Sequence, residues 1–193
     1  MAWGPIIYKS YKKRTGRRLI QNMNEVLSSK LRGQRSNAQG KFFEQCIEAA
    51  CTKYSLDGVA EITKVPEPFR VIKKEKAGKF RGQFIKKAQP DFSGTLKNGK
   101  SVVFEAKFTL TDKLKQSVLT DTQNKALKKH EELGAISGVC AGIQDEYYFI
   151  PYSFWSNMHN ILGRKYITKE DVQQYKVKFN GAVLFLDYVK AAV

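Results

Sequence analysis

The chain of 193 residues carries 34 Lys and Arg against 18 Asp and Glu, a formal net charge of +16. That length suits one domain with a single core and an appendage, and the charge favours a polyanionic partner bound with counterion release, a balance that a basic ribosomal or membrane-surface protein would share. Cys46, Cys51 and Cys140 form no C-x-x-C pair and are odd in number, and with two histidines they argue against a disulfide framework and against a zinc site.

Cytosolic, reduced and buried thiols are expected. No apolar run reaches the length of a membrane span, and the N-terminus lacks the apolar core of a signal peptide, so an intracellular protein with no membrane partner is expected.

From Met1 to Lys41 the sole acidic residue is Glu25, set among Lys9, Arg17, Arg32 and other cations. Residues 1–33 are therefore predicted to be a flexible basic arm, or else a solubilising tail, ahead of a single domain over 34–193. Helical periodicity begins near Asn37, where Phe43, Ile47, Ala50 and Tyr54 recur every three or four residues and mark one buried stripe. Glu44 and Glu48 lie at its edge. A short strand is predicted over Val59 to Val65, after the turn residues Asp57-Gly58.

The segment 66–89 changes character. Pro66 and Pro68 open it, and Arg70, Lys73, Lys74, Lys76, Lys79, Arg81, Lys86 and Lys87 face only Glu67 and Glu75. Interleaved Phe69, Val71, Ile72, Phe80 and Phe84 suggest a projecting β-ribbon whose natural place is along phosphates.

Pro90-Asp91-Phe92-Ser93-Gly94 follows, then Asn98-Gly99 and the apolar run Ser101-Val102-Val103-Phe104 ending in Glu105-Ala106-Lys107. Two strands joined at Asn98-Gly99 form a predicted hairpin. A two-residue turn would pair Asp91 with Ala106, whose side chain faces away from Glu105 and Lys107. A bulge near Gly94, or a three-residue turn, is therefore predicted, because it brings Asp91 beside Glu105.

Thr120 or Asp121 can cap a helix running to about Leu133, with Gly134 as its stop. Strands over Ile136 to Ile143 and Tyr147 to Pro151, a helical piece around Ser153 to Leu162, a capped turn at Thr168 and Asp171, and a last hairpin at Asn180-Gly181 complete a mixed α/β layer fold.

The chemistry lies in the acidic pair. Asp91 and Glu105 are hard oxygen ligands for Mg2+, with Mn2+ as the alternative, and the Ala106 carbonyl is a third donor. Lys107 shares a strand face with Glu105, so its ammonium can meet a phosphate or an attacking water, or simply form a cross-strand ion pair. On so basic a chain, the phosphodiester in question is nucleic acid. Gln123 either orients a water or a phosphate or is a first-turn polar residue of its helix. His130 reads as a structural histidine, and His159 has no motif around it.

Gly40-Lys41-Phe42-Phe43-Glu44, the basic insertion, Asp91-Phe92-Ser93-Gly94, Glu105-Ala106-Lys107 and Gln123, in that order, resemble the RecU family of Holliday junction resolvases from Asn37 to the C-terminus. The resemblance implies a restriction-endonuclease-like fold, a mixed β-sheet flanked by helices with a protruding basic β-ribbon stalk, of the PD-(D/E)XK superfamily. It also implies a homodimer with two active sites, four-way junction DNA as partner, host recombination proteins as further partners, and a phage or Gram-positive source.

The Mg2+-dependent site it implies comprises Asp91, Glu105, Lys107, Glu44 and Gln123, with Asp91, Glu105, Ala106 and Glu44 toward the metal. Phosphate contacts are expected from Arg70, Lys73, Lys74, Lys79, Arg81, Lys86 and Lys87 on the stalk, and from Arg35 and Lys41 ahead of it. Where the family shows arginine directly before the helix glycine, this chain has Gln39, with Arg35 nearby. A nuclease of ordinary duplex DNA and a non-catalytic architectural DNA-binding protein are the alternatives.

Overall fold

The structure, a computed structural model, describes residues 5–66, 68–84 and 89–187. The chain divides into two units, Met1–Gln39 and Gly40–Val193. The described backbone of the first unit is helical and belongs to α1 (Pro5–Leu56). Apolar periodicity predicts a helix start near Asn37, far inside this span. Lys, Arg, Gln and Leu are strong helix formers, and no proline interrupts the chain between Pro5 and Pro66. Periodicity missed the early turns because the regular apolar spacing in the sequence begins only at Phe43, the first buried apolar residue among those whose burial is described.

In the second unit, α1 is followed by β1 (Ala60–Lys64), β2 (Phe69–Lys74), β3 (Phe80–Phe84), β4 (Phe92–Leu96), β5 (Ser101–Thr109) and β6 (Leu114–Lys115). Then come α2 (Asp121–Glu132), β7 (Ile136–Ile143), β8 (Glu146–Pro151), α3 (Tyr152–Ser156), α4 (Met158–Leu162), β9 (Tyr166–Ile167) and a 3-10 stretch, Glu170–Tyr175. β1, β4, β5, β7 and β8 form a five-stranded sheet in that order, antiparallel except where β5 runs parallel to β7. A parallel pair needs a crossover, and α2 supplies it. This is a mixed β-sheet flanked by helices, the layer arrangement expected above.

β5 is central and buried on both faces, so it reads as a continuous apolar run rather than an alternating one. On one face Phe92, Val102, Phe104 and Ala106 pack with Phe43, Ile47 and Tyr54 of α1 and with Phe149 and Phe185. The Phe92 and Phe104 rings stack at 5.0 Å, and burial of each stabilises the fold by about 2–3 kcal/mol. On the other face Val103 packs with Leu127 of α2, Val139, Ile150 and Trp155. Ser137 donates to the Leu127 carbonyl at 2.8 Å and ties α2 to β7.

The hairpin between β4 and β5 settles the register. Thr95 pairs with Ser101 and Phe92 with Phe104, and the Leu96 amide donates to the Lys100 carbonyl at 2.9 Å. Lys97, Asn98 and Gly99 remain in the turn, so it is a three-residue turn with Gly99 at φ +82. Asp91, one residue before Phe92, therefore lies opposite Glu105. Pairing is unbroken through Gly94, and no bulge forms there. A Cβ on Gly94 would fall 2.1 Å from the Glu61 carbonyl oxygen, so glycine is what lets β1 and β4 approach. Gly99→Ala is expected to cost about 1 kcal/mol, from positive φ alone since open space surrounds the position; a denaturant midpoint equal to wild type would contradict it.

β2 and β3 form a separate two-stranded ribbon with a register shift between Val71 and Lys73. Every β2 residue is exposed, so both ribbon faces are open to solvent, as predicted for the basic insertion. Phe69 and Phe80 meet edge to face at 5.5 Å across it. Arg70, Lys73, Lys74, Lys79 and Arg81 are exposed, as are Arg35 and Lys41 of α1, whereas Lys86 and Lys87 lie outside the described residues.

The predicted last hairpin does not form as one. Around Asn180-Gly181 the pairing is a single bridge, Phe179 with Val183. Burial of Val183, Phe185 and Leu186 against α1 and β5 takes the place of a ladder. Among the described residues no helix is long and apolar enough to cross a membrane.

Candidate active site

The strand face beside α2 collects the acidic pair. Asp91 stands at the mouth of β4 and Glu105 and Lys107 alternate on β5, while the intervening Ala106 points to the α1 face. Asp91 Oδ2 accepts from the Ala106 amide at 2.9 Å and from Lys107 Nζ at 3.3 Å. Lys107 Nζ also donates to Glu105 Oε2 at 2.9 Å, so one ammonium bridges both carboxylates. The Ala106 amide faces Asp91, and in an extended strand its carbonyl lies toward the same edge.

Gln123 enters from α2. Its Nε2 donates to Glu105 Oε2 at 2.5 Å, and its Oε1 accepts from the Thr120 amide at 3.0 Å. Thr120 Oγ1 in turn accepts from the Gln123 amide at 3.3 Å, which completes a capping box. The first-turn reading is what the structure shows, and the same side chain also reaches Glu105 of the acidic pair. Thr120-x-x-Gln123 was a legible capping signature; the reach to Glu105 was not.

Glu105 is the electrostatic anomaly. Its side chain is 1% exposed, against 31% for Asp91 and 19% for Lys107. Oε2 takes both hydrogen bonds, and Oε1 is buried with no partner among the described residues. Burial, the largest cause, and the neighbouring Asp91 carboxylate push its pKa up to about 7, against the pull of Lys107. For Lys107 burial draws the ammonium down, but Asp91 and Glu105 together hold it above its ordinary value. Lys107 is thus a fixed cation, and Glu105 a buried carboxylate with one oxygen left unpartnered.

Glu44 lies elsewhere. Lys64 pairs with it at 2.7 Å and with Glu48 at 3.3 Å. Lys64 sits opposite Phe92, whose ring belongs to the α1 face, so this cluster and the Asp91–Glu105 pair occupy opposite faces of the sheet. No signal in the sequence marked Lys64 as the partner of Glu44. Among the described residues no three His, Cys, Asp or Glu side chains gather at one point. Even so, the donor set suits a small hard cation, with a buried unpartnered carboxylate oxygen beside a second carboxylate.

The family described as recombination protein U matches residues 38–192. Among solved structures, Hjc of Archaeoglobus fulgidus, a Holliday junction resolvase from an archaeal hyperthermophile, is 12% identical over 76% of this chain and 97% of that one, with a TM-score of 0.44. No curated protein matches the chain.

Proposed function

The chain belongs to the recombination protein U family of Holliday junction resolving endonucleases, and from that premise we propose that Asp91, Glu105 and Lys107 are its catalytic centre. The Glu105 carboxylate carries this reading, being buried, short of a partner on one oxygen and beside a second carboxylate. Asp91, Glu105 and the Ala106 carbonyl would hold Mg2+, or Mn2+ in the same donor set, with waters completing the shell. When bound, the cation supplies a Lewis acid and lowers the pKa of a water.

The residues of the chain do the rest. Lys107, kept protonated by both carboxylates, acts as a cation toward the scissile phosphate and not as a base. Gln123 is a positioning residue that holds the Glu105 carboxylate through Oε2 and leaves Oε1 free. Glu44 stands outside this centre, engaged with Lys64. The exposed ribbon cations and the basic stretch 1–33 contact phosphates without reading sequence. A homodimer, with two like sites about a twofold axis, would nick opposing strands of a junction symmetrically in the cytoplasm.

The test sets a labelled four-way junction against a linear duplex of matching sequence, each with and without Mg2+. Mg2+-dependent, paired nicking of the junction with the duplex left intact is expected. Equal cutting of both would replace the junction reading with a duplex nuclease, and tight binding without cutting would leave an architectural protein. Gln123→Ala is expected to raise the half-saturating Mg2+ concentration about tenfold. An unchanged metal curve would reduce Gln123 to its capping role.

A further inference from the structure

We propose that the groove bounded by the β6–β9 pair, the start of α2 and the end of α3 is a phosphate track for the strand being cut, beside the Asp91–Glu105 centre; this rests on the nuclease reading above. The groove encloses about 870 Å3, and Lys115, Lys125 and Lys165 line it against one carboxylate, Asp121. All three lysines are exposed, and none forms an ion pair among the described residues. Elsewhere in this unit Lys64, Lys107, Lys169 and Lys176 are each held by a carboxylate. Three unpaired ammonium groups around one concavity form a site for a polyanion.

The walls are braced. Lys115 pairs with Tyr166 across β6 and β9, and the Gln116 amide donates to the Lys165 carbonyl at 2.9 Å. The Gln116 side chain donates to the Trp155 carbonyl at 2.7 Å and so joins this wall to the end of α3. The lysines therefore project from a frame that is already formed. Ser117 and Ser156 add hydroxyl groups along the lining.

Position assigns the ligand. Thr120 lines the groove, and Thr120 is clasped by Gln123, whose amide reaches Glu105. One polar chain thus leads from the groove to the acidic pair. The larger cavity near Tyr147 and Phe179, about 1100 Å3, offers no such site: three carboxylates, Asp145, Glu146 and Asp187, line it against two lysines, Lys178 and Lys176, the latter paired with Glu146 at 3.2 Å.

The test uses the full chain with Lys115, Lys125 and Lys165 all changed to Ala, beside a variant with all three changed to Arg. Binding to a fluorescent four-way junction is followed from about 50 to 200 mM salt in EDTA, where no cutting is needed. The alanine variant is expected to bind about tenfold more weakly, with a log–log salt slope shallower by about 2 to 3, and the arginine variant to restore both. Phosphate-ethylation interference should be lost at phosphates next to the cut and kept at distant ones. In single-turnover cutting, the protein concentration for half-maximal rate should rise while the maximal rate holds.

Wild-type affinity and slope in the alanine variant would overturn the track, as would interference lost only at distant phosphates. If the triple variant does not fold, each single variant should still lower the slope by about 0.9, and no change in any of them overturns the proposal. A wild-type protein that binds with the expected slope and cuts nothing would sink the catalytic reading of Asp91 and Glu105, while the slope still decides the groove.

Discussion

Asp91→Asn is expected to lower the rate of junction cutting about a thousandfold or more while junction affinity changes less than about threefold. The substitution keeps the size of the side chain and an oxygen that can accept from the Ala106 amide, so β4 and β5 should stay in register. It removes one of the two anions that bridge through Lys107 and one of the two carboxylates offered to a cation. It also removes a like charge that raises the Glu105 pKa, so the Glu105 titration should move down toward the ordinary carboxylate range. Single-turnover cutting with a binding control measures the first effect. Cutting within tenfold of wild type would remove Asp91 from the centre.

In the absence of divalent cations, the protein should lose stability as pH rises from about 4.5 to about 7. The sign follows from linkage. The folded state holds a proton on Glu105 that the unfolded chain has already released, so the contribution is complete below about 4.5 and gone above about 7. The loss is on the order of 3 kcal/mol at pH 8. Glu105→Gln cannot titrate and should be the more stable protein at pH 8 in EDTA, with the difference vanishing near pH 4.

Mg2+ should stabilise wild type at pH 8 and leave the glutamine variant unmoved, because a bound cation supplies a partner for Glu105 Oε1, the oxygen that neither Lys107 nor Gln123 engages. Denaturant midpoints at pH 5 and pH 8, with and without Mg2+, provide the measurement. Parallel pH curves for the two proteins would mean that Glu105 titrates as an ordinary carboxylate.

Some of this architecture was legible because the signals are local. Thr120 or Asp121 as cap and Gly134 as stop bounded α2 within a residue or two, since caps act on the first and last turns alone. The exposed ribbon was legible from its prolines, its cations and its interleaved aromatic residues. The turn at Asn98-Gly99 was legible as a turn, and the need for Asp91 to face Glu105 pointed beyond a two-residue loop. Choosing between a bulge at Gly94 and a longer turn was not a local matter, because β1 packs against Gly94 so closely that the strand stays regular there.

The early turns of α1 were missed for the opposite reason, since good helix formers without a constant apolar face carry no periodicity. The last hairpin was over-read, because Asn180-Gly181 describes a turn and says nothing of whether a ladder follows it.

The composition by itself pointed toward a polyanion, and the ordered acidic and basic motifs pointed to the family and the chemistry to look for. Neither could say which charges meet. Only the tertiary structure decided that Lys107 bridges Asp91 and Glu105, that Lys64 draws Glu44 to the other face of the sheet, and that Gln123 reaches Glu105 while capping its own helix. Charge strength is a matter of burial, and burial is made by strands and helices far apart in the chain. Glu105 is acidic in any sequence, but only at the centre of this sheet, under α2, does it become a carboxylate with a pKa near 7 and an oxygen left without a partner.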